Sequence, residues 1–443
     1  MPILTKEEAQ AILSKALGYS KAPECEVNLG GSVGGNIRYA RNTVSTSGEN
    51  SNMTLVVQSK FGKKTGTATV NEFTDAAIER TVRRAEELAQ LAPENPEAMP
   101  LLGQQKYLES VTAFASTEGI TPEYRTKVAE DSIIPCTGKD LQAAGFLDHD
   151  TSFGAVANSA GLSLYQKSTS VEFTLTVRTT DGTGSGYVTR DYNDVSQFNS
   201  AAASQVAIEK ALRSREAKAI EPGKYTVILE PAALLANTDA SLIGAMINAM
   251  DARSADEGRS FFSKKGGGNK IGEKFIDERI SVFSDPTNSD IPSTPWVGDG
   301  RPREKTTWVE NGVLQNLFYS RYWAEKKEKK SIAPPGGIII PGTNASLEDL
   351  IKDTKKGILI TRLWYIRPVD PQTLLYTGLT RDGTFFIENG KIAFPIKNMR
   401  FNESPIIMLN NLEALGKPVR MAGNMIPPMK IRDFTFESLS DAV

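Results

Sequence analysis

The sequence predicts an α+β protein with two domains: an N-terminal α+β domain, with an antiparallel sheet and long helices, over residues 1–221, and a β-rich C-terminal domain over residues 222–443. Strand-like and helix-like periodicities follow one another through the first half of the chain. The second half instead repeats the tripeptide Glu-Asn-Gly, a hairpin signal, between alternating segments. Pro222-Gly223 interrupts the pattern between the halves. A chain of 443 residues is long enough for two or three domains with separate cores.

The first elements predict a helix followed by an antiparallel meander. Ala9, Ile12, Leu13 and Ala16 recur at helical spacing, and Gly18 is expected to end this helix. Segments with strand periodicity follow at 24–29, 36–45, 53–60 and 63–70. The glycine-rich run between the first two of these segments is expected to form a turn.

Two further helices and a hairpin complete the predicted N-terminal domain. Thr74 is an N-cap candidate, and the apolar stripe that follows is typical of a helix packed on a core. Thr121-Pro122 begins another helix. Residues 171–178 form a predicted strand, 181–186 a turn and 187–190 the returning strand. An alanine-rich helix is expected over 194–217.

The C-terminal half is predicted to be mostly strands. Residues 225–229 form a short strand, a small-residue helix runs to about residue 250, and a second short helix occupies 346–352. The Asn-Gly pairs at 311–312 and 389–390 form hairpin turns because both residues tolerate positive φ. Further strands are expected at 280–283, 336–340, 357–364, 384–387, 392–395 and 429–437.

The bulk composition limits the class of protein. The net charge is −2, which gives no reason to expect direct nucleic-acid binding. No apolar run approaches the roughly 20 residues that span a bilayer, and the N-terminus lacks the apolar core of a signal peptide. Cys25 and Cys136 stand in no motif, as is usual in a reducing compartment. We therefore expect a cytoplasmic protein without a membrane partner.

The chain contains one histidine, His149. No metal site that needs two imidazoles from one chain can exist, and two isolated cysteines exclude a cysteine-rich zinc site. Asp148 and Asp150 flank the histidine and could raise its pKa to make it a general base. We favour the alternative of an exposed histidine in an acidic loop.

Several other motifs have both a chemical and a structural interpretation, and the structural one is favoured for each. Gly30–Gly34 matches a nucleophile elbow but is expected to be a hairpin loop, and Asp181–Gly186 is expected to be a tight turn rather than a phosphate loop. Gly266–Gly268 is expected to be a surface loop rather than an anion site. Four acids could ligate a hard cation but match no known loop: Asp285, Asp290, Asp299 and Glu304. The lysine-rich run 326–330 is expected to be a solvated helix end.

The chain resembles the TldD/PmbA proteins, also called modulators of DNA gyrase, over nearly its whole length. No single piece is diagnostic, but the order and spacing of the pieces together are specific. The matching pieces lie at 37–42, 74–92, 157–162, 222–231, 258–261, 270–275, 306–324 and 383–401. The resemblance implies an α+β N-terminal domain, a β-rich C-terminal domain and assembly of two chains around an enclosed cavity.

One branch of this family carries a His-Glu-x-x-x-His helix and a cysteine near the C-terminus, which bind zinc for peptide hydrolysis. The corresponding helix slot here is Leu242, Ile243, Gly244, Ala245, Met246, Ile247 and Asn248, with no histidine or glutamate. The C-terminal stretch 421–429 contains no cysteine. The chain therefore resembles the PmbA/TldE branch, whose members partner a zinc-bearing paralogue.

The resemblance implies a subunit of a metallopeptidase assembly that acts in proteolysis or maturation of a peptide, without its own catalytic residues, zinc or other cofactor. Its expected partners are a TldD-like zinc-bearing paralogue or a second copy of itself, and a peptide substrate. Gly258, Arg259 and Ser260 are candidates for lining the cavity. The alternatives are a self-sufficient hydrolase and a binding protein that modulates DNA gyrase or another topoisomerase.

Overall fold

The structure, a computed structural model, describes residues 3–235 and 241–440. Its N-terminal half is a six-stranded antiparallel sheet with helices on it. The strands are β1 (Glu24–Ala40), β2 (Thr43–Phe61), β3 (Lys64–Val70), β4 (Leu141–Asn158), β5 (Ser163–Thr179) and β6 (Ser185–Tyr192). The helices are α1 (Lys6–Tyr19), α2 (Asp75–Leu91), α3 (Ala115–Glu118), α4 (Pro122–Ile133) and α5 (Ser200–Arg213).

This half consists of two similar units. Each unit supplies a helix, three strands and a helix in the same order: α1-β1-β2-β3-α2 and then α4-β4-β5-β6-α5. The strand order across the sheet, β3-β2-β1-β4-β5-β6, places the two units back to back with β1 and β4 paired at the centre. Each unit packs its helices on its own hydrophobic cluster.

The same close contact between a strand and a helix occurs in both units. Gly66 in β3 lies against the backbone of Ala85 and Ala89 in α2, and Gly186 in β6 lies against the backbone of Ala207 and Ala211 in α5. In each case a side chain on the glycine would overlap the carbonyl oxygen of the first alanine. Glycine is therefore needed for the helix to approach the sheet this closely.

The predicted turn at the glycine-rich run 30–35 is wrong, because these residues continue β1. Gly31, Gly34 and Gly35 lie where Phe153, the backbone of His149 and the guanidinium of Arg125 come too close for a side chain. The Gly30–Gly34 motif is thus neither a hairpin loop nor a nucleophile elbow. Glycine inside a strand marks such close approach, which sequence periodicity does not show.

Other boundaries in this half also differ. The first helix passes Gly18 and ends at Tyr19. The helix predicted over 194–217 is a 3-10 turn, Val195–Gln197, followed by α5, because the side chain of Asn199 caps a new helix by accepting from the amide of Ala202. The N-caps at Thr74 and Thr121 are confirmed.

The C-terminal half is rich in strands, as predicted. Its helices are α6 (Pro231–Leu234), α7 (Leu242–Asn248), α8 (Ala252–Asp256), α9 (Arg321–Lys326), α10 (Leu347–Lys352) and α11 (Pro405–Asn410). Its first eight strands are β7 (Gly223–Leu229), β8 (Val282–Ser284), β9 (Thr306–Glu310), β10 (Val313–Leu314), β11 (Lys356–Asp370), β12 (Leu375–Glu388), β13 (Lys391–Pro395) and β14 (Met399–Glu403). The last strands are β15 (Leu412–Leu415), β16 (Val419–Met421), β17 (Asn424–Ile426) and β18 (Met429–Leu439).

Five of these strands close into a barrel. The pairing runs β11-β7-β18-β14-β12 and returns to β11, and the β7–β11 pair is the parallel one. Alternate residues point inward: Val227 and Leu229 belong to the large central cluster, whereas Ile228 packs with α10 on the outside. A closed barrel leaves few free strand edges in this half, which limits strand addition there.

Both Asn-Gly hairpin predictions are confirmed. Asn311 and Asn389 have φ of 48° and 51°, and the glycine after each has φ of 75° and 76°. The strand predicted at 336–340 forms only bridges at Ile339. The helix predicted to run to residue 250 comprises α6 and α7, and its residues 236–240 lie outside the described residues. In the described part of the chain, no helix has the length and apolar character to cross a bilayer.

Candidate functional site

The candidate site is a cavity of about 610 Å³ beside α7, named here the α7 cavity. Its walls come mainly from α7, the loop after α8, residues 335–338 and β17; the further lining residues are Leu235, Ser254, Pro371, Leu374 and Tyr376. A cavity of this size is within the range that accommodates small ligands or a peptide segment. The sequence had singled out the first two stretches separately, and the structure brings them together.

Helix α7 presents its small and polar face to this cavity. Ser241 caps the helix, with its Oγ accepting from the amide of Gly244 at 3.2 Å. Leu242, Ile243 and Met246 are fully buried in the core on the opposite face. The remaining residues of the slot, Gly244, Ala245, Ile247 and Asn248, line the cavity.

The loop after α8 supplies Arg259 and Ser260 to the cavity wall, while Gly258 turns the chain before them with a φ of 79°. Ser260 is fixed: its Oγ donates to the carbonyl of Ala249 at 2.7 Å. Arg259 is more than half exposed and its Nη2 lies 2.6 Å from Oε2 of Glu257. The loop therefore supplies the long, exposed cationic side chain of Arg259 and the fixed hydroxyl group of Ser260.

The opposite wall was not predicted. Residues 335–338 line the cavity with main chain rather than large side chains, and β17 holds them in place. Ile338 donates its amide to Oδ1 of Asn424 at 2.8 Å and accepts from the amide of Met425 at 2.9 Å. Gly337 faces the carbonyl of Gly423 too closely for any side chain. The sequence Pro-Pro-Gly-Gly was the available signal for an unusual backbone here.

The α7 cavity does not fit a zinc ion. Asn424 belongs to the C-terminal stretch 421–429, so that stretch and the α7 slot meet at one place. Among the described residues that line the cavity, there is no histidine, cysteine, aspartate or glutamate, the side chains that bind zinc. Cys25 and Cys136 are both buried in the N-terminal half.

The four acids considered as cation ligands are not gathered into a site. Asp285, Asp299 and Glu304 each contact a separate cation, at 2.7, 2.8 and 2.5 Å respectively. Over residues 3–235 and 241–440, no group of three potential metal-ligating side chains is present. The lysine-rich run is exposed: Lys326 ends α9, and residues 327–330 follow the helix, close to the predicted solvated helix end.

His149 is not in an exposed loop, which corrects the sequence-based prediction. It lies within β4, is 8% exposed, and its Nε2 lies 3.1 Å from Nη1 of Arg125. Nη2 of Arg125 in turn reaches Oε1 of Glu49 at 3.3 Å. Burial, reinforced by the charge of Arg125, lowers the pKa of His149 to about 4. A buried neutral imidazole that contacts an arginine is not placed to act as a general base on a bound substrate.

This histidine is expected to make stability depend on pH. Because its pKa is lower in the folded than in the unfolded chain, the unfolded chain binds more protons between about pH 6.5 and pH 4. The folded state should therefore lose up to about 3 kcal/mol as pH falls through this window. Denaturant unfolding at several pH values, for the wild type and His149→Gln, measures this loss as the difference between the two proteins.

The comparison with the variant is needed because Glu403 titrates in the same range with the opposite sign. Burial raises the pKa of Glu403 to about 6. His149→Gln leaves that contribution in place. Equal slopes of stability against pH in the two proteins would contradict the assignment to His149.

The remaining glycine-rich motifs are turns. Asp181–Gly184 lies in the turn that joins β5 to β6, and Ser185 and Gly186 already belong to β6; Gly182 has a φ of 72°, and Asp181 accepts from the amide of Thr183 rather than opening a helix toward a phosphate. Gly266–Gly268 has positive φ at each residue and is exposed. Both results agree with the structural interpretation of these motifs.

Two family models match the chain. A model of the PmbA/TldA metallopeptidase C-terminal domain matches residues 222–438, and a model of PmbA/TldA metallopeptidase domain 1 matches residues 25–89. Curated relatives include a metalloprotease of Methanothermobacter thermautotrophicus, 25% identical over 48% of this chain, and the metalloprotease PmbA of Escherichia coli O157:H7, 22% identical over 48%. The chain spans about half the length of these relatives, 47% and 48%.

Solved structures with the same fold are similar over nearly the whole chain. A protein of Thermotoga maritima named as a candidate modulator of a DNA gyrase has a TM-score of 0.86 at 16% identity, covering 97% of this chain and all of that one. TldE from Thermococcus kodakarensis has a TM-score of 0.83 at 17% identity, covering 97% of this chain and 99% of that one. Together with the two family models, which match more than half of the sequence, these results show that the chain belongs to the PmbA/TldD family of metallopeptidase-related proteins.

Proposed function

We propose that this chain is a zinc-less, PmbA/TldE-like subunit of a TldD/PmbA-type metallopeptidase assembly, and that it helps to hold the peptide substrate. The observation that supports this most is the α7 cavity. It lies beside α7, the helix that the resemblance assigns to the zinc slot, and Gly244, Ala245 and Asn248 form its helical face. A cavity whose described lining has no histidine, cysteine or carboxylate but has accessible main chain is suited to binding a peptide.

The wall at Gly336 and Gly337 supports a role in holding peptide. Without side chains, the main chain of these residues can approach an extended ligand closely. Extended peptides are commonly held by main-chain hydrogen bonds along such a wall, with sequence preference left to neighbouring pockets. Ser260 and Asn424 would add fixed polar contacts.

An open strand edge supports assembly with another chain. Among the described strands, β3 pairs with β2 only from Leu55 to Phe61, so residues 43–50 of β2 form an outer edge of the sheet, and they are exposed. An unpaired edge of this length is available for pairing with a partner chain. The partner in this proposal is a TldD-like paralogue that carries the His-Glu-x-x-x-His helix, and a homodimer is the other possible assembly.

The test measures metal content and peptide cleavage by the purified chain, by a His-Glu-x-x-x-His paralogue from the same organism, and by their mixture. We expect no stoichiometric zinc and no cleavage for this chain alone, and cleavage by a stoichiometric complex. Cleavage by this chain alone, with stoichiometric metal, would overturn the proposal.

Filling the α7 cavity should separate peptide binding from assembly. Asn248 is exposed at the cavity, so Asn248→Trp places an indole in it with little effect on the core. We expect cleavage by the complex to fall roughly tenfold or more, because the peptide would be displaced from its reactive position. Size-exclusion chromatography should show an unchanged complex.

The matched control for this substitution is Asn344→Trp, at an exposed position that does not line the cavity. It should retain full activity. Normal cleavage by a correctly assembled Asn248→Trp complex would argue against peptide binding at this cavity.

The two alternative functions have weaker support. A self-sufficient hydrolase would need His149 or the four acids, and the structure buries the histidine against Arg125 and pairs three of the acids with separate cations. Modulation of DNA gyrase belongs to the names of structural neighbours at 16–20% identity, and likeness at this level shows the fold alone.

A further inference from the structure

A second cavity lies between the two halves of the molecule. It has a volume of about 630 Å³ and is named here the β6–β16 cavity. We propose that it binds a ligand carrying one carboxylate next to an apolar group, such as the C-terminal end of a short peptide or a small branched organic acid. This proposal does not depend on the α7 cavity.

Two strands from different halves face each other across this cavity. Tyr187–Arg190 of β6 and Val419–Met421 of β16 line it as consecutive residues. Since successive side chains of a strand point to opposite faces, consecutive lining residues mean that the cavity borders the strand edge as well as one face. β6 is the last strand of its sheet, so its outer edge has no strand partner in the described sheet. Main-chain groups are therefore within reach of a ligand.

The charges of the cavity leave a positive surplus. Lys210 is already neutralised, with its Nζ 2.8 and 2.7 Å from the two oxygens of Glu230. Arg420 is held by Asp191 at 2.9 Å. Arg190 and Lys417 also line the cavity, and neither has a carboxylate at ion-pair distance within residues 3–235 and 241–440. Nη1 of the half-buried Arg190 donates only to the carbonyl of Thr189, at 2.7 Å.

A partly desolvated guanidinium without a carboxylate is stabilised by an anion. The rest of the wall selects what accompanies that anion. Much of it is apolar: Val188, Val206, Pro231, Leu347, Val419, Met421, Met425 and Pro428. Hydroxyl and amide groups for orientation come from Thr189 and Gln197. This combination of one ionic contact and an apolar wall is typical of a site for an amphipathic small ligand.

The acids at the cavity favour a single negative charge. Glu230 is neutralised by Lys210, but Asp290 also lines the cavity and would repel a phosphate dianion more strongly than a carboxylate. Arginine binds a carboxylate with two parallel hydrogen bonds, which also fixes its orientation. We therefore assign the site to a monoanion rather than to a phosphate ester.

Isothermal titration calorimetry of the full chain tests the proposal with four probes: N-acetyl-alanyl-leucine, its C-terminal amide, 4-methylpentanoate and inorganic phosphate. The dipeptide acid or 4-methylpentanoate should bind, and the amide should not. Tighter binding of the dipeptide acid would identify a peptide end as the ligand, and equal or tighter binding of 4-methylpentanoate a free organic acid. Failure of both acids to bind, equal binding of the amide, or tighter binding of phosphate would overturn the proposal.

Two substitutions locate the site. Arg190→Gln should weaken binding of the acid about tenfold to a hundredfold, and Lys417→Gln by a smaller factor because Lys417 is exposed. Arg213→Gln and Lys391→Gln are the matched controls, at exposed positions outside the cavity. Unchanged affinity in Arg190→Gln would overturn the assignment to this cavity, and circular dichroism of each variant checks that it is folded.

Discussion

Asp191→Ala is expected to lower the free energy of unfolding by about 3 kcal/mol, because it leaves Arg420, whose side chain is only 15% exposed, without its carboxylate. Asp191 is buried at the end of β6, where Oδ2 lies 2.9 Å from Nε of Arg420. The same carboxylate accepts from the amides of Ala422 at 2.7 Å and Gly423 at 2.9 Å. One side chain of the N-terminal half thus satisfies three donors of the β16–β17 hairpin, and its removal leaves all three without this partner.

Urea unfolding followed by circular dichroism measures this loss, and hydrogen exchange of the β16–β17 amides shows where it acts. Asp191→Asn should cost roughly half as much, since it keeps the shape and one acceptor oxygen but not the charge. Glu278→Ala is the control: Glu278 is 72% exposed and pairs with Lys274, and such surface pairs contribute about 0–1 kcal/mol. A loss below that of Glu278→Ala would refute the role given to Asp191.

Gly186→Ala is expected to cost roughly 3 kcal/mol or more, at the upper end of the range for overpacking. The added methyl group would overlap the carbonyl oxygen of Ala207 and lie 2.5 Å from the amide nitrogen of Ala211. Both obstacles are helix backbone, which cannot rotate away, so α5 would have to move off the sheet. Gly66→Ala should behave in the same way against α2, because the two units share this contact.

Thermal and urea unfolding of both variants tests this expectation. The control is Gly48→Ala in β2, where the added methyl group meets nothing within 4 Å and the φ is not in the left-handed region. Its effect should stay within about 0.5 kcal/mol. Should Gly186→Ala match this control, the close packing of α5 on β6 would not be the reason for the glycine.

Local chemistry explains which elements the sequence could predict. Thr74, Thr121 and Ser346 cap helices through bonds to residues three positions on, and the Asn-Gly pairs adopt the positive φ that they tolerate best. These features depend on residues that are close in the sequence, so the sequence is sufficient to predict them. The fold class follows from them.

The errors occur where distant residues decide the conformation. β4 alternates faithfully between buried and exposed positions, but its buried positions include Gly145, His149 and Thr151, which hide the apolar pattern. The glycines of β1 are required by Phe153 and Arg125, which are distant from them in the sequence. The adjacent aspartates suggest an exposed histidine in an acidic loop at His149, whereas its environment in the fold is determined by the contact with Arg125.

The candidate site was predictable only in part. The α7 slot and the loop with Arg259 and Ser260 came from a resemblance, which carries information on how distant stretches meet. Asn424 has no local signature, and the Pro-Pro-Gly-Gly run before Ile338 signals only an unusual backbone, since the place of both at the cavity depends on the pairing of Ile338 with β17. The shortage of zinc-binding side chains, in contrast, follows from composition, because one histidine and two cysteines allow few ways to build a zinc site within this chain.

Strand β17 lies between the α7 cavity and the β6–β16 cavity and lines both of them. Asn424 lines the α7 cavity and its neighbour Met425 lines the β6–β16 cavity, as alternate side chains of one strand. A ligand that shifts β17 from one cavity therefore changes the shape of the other cavity. Thermodynamic linkage then requires that each ligand change the binding constant of the other by the same factor. Asp191 holds the start of β17 through the amides of Ala422 and Gly423, so it limits how far this strand can shift. In this way the N-terminal half, which contributes nothing to the lining of the α7 cavity, can still adjust its affinity.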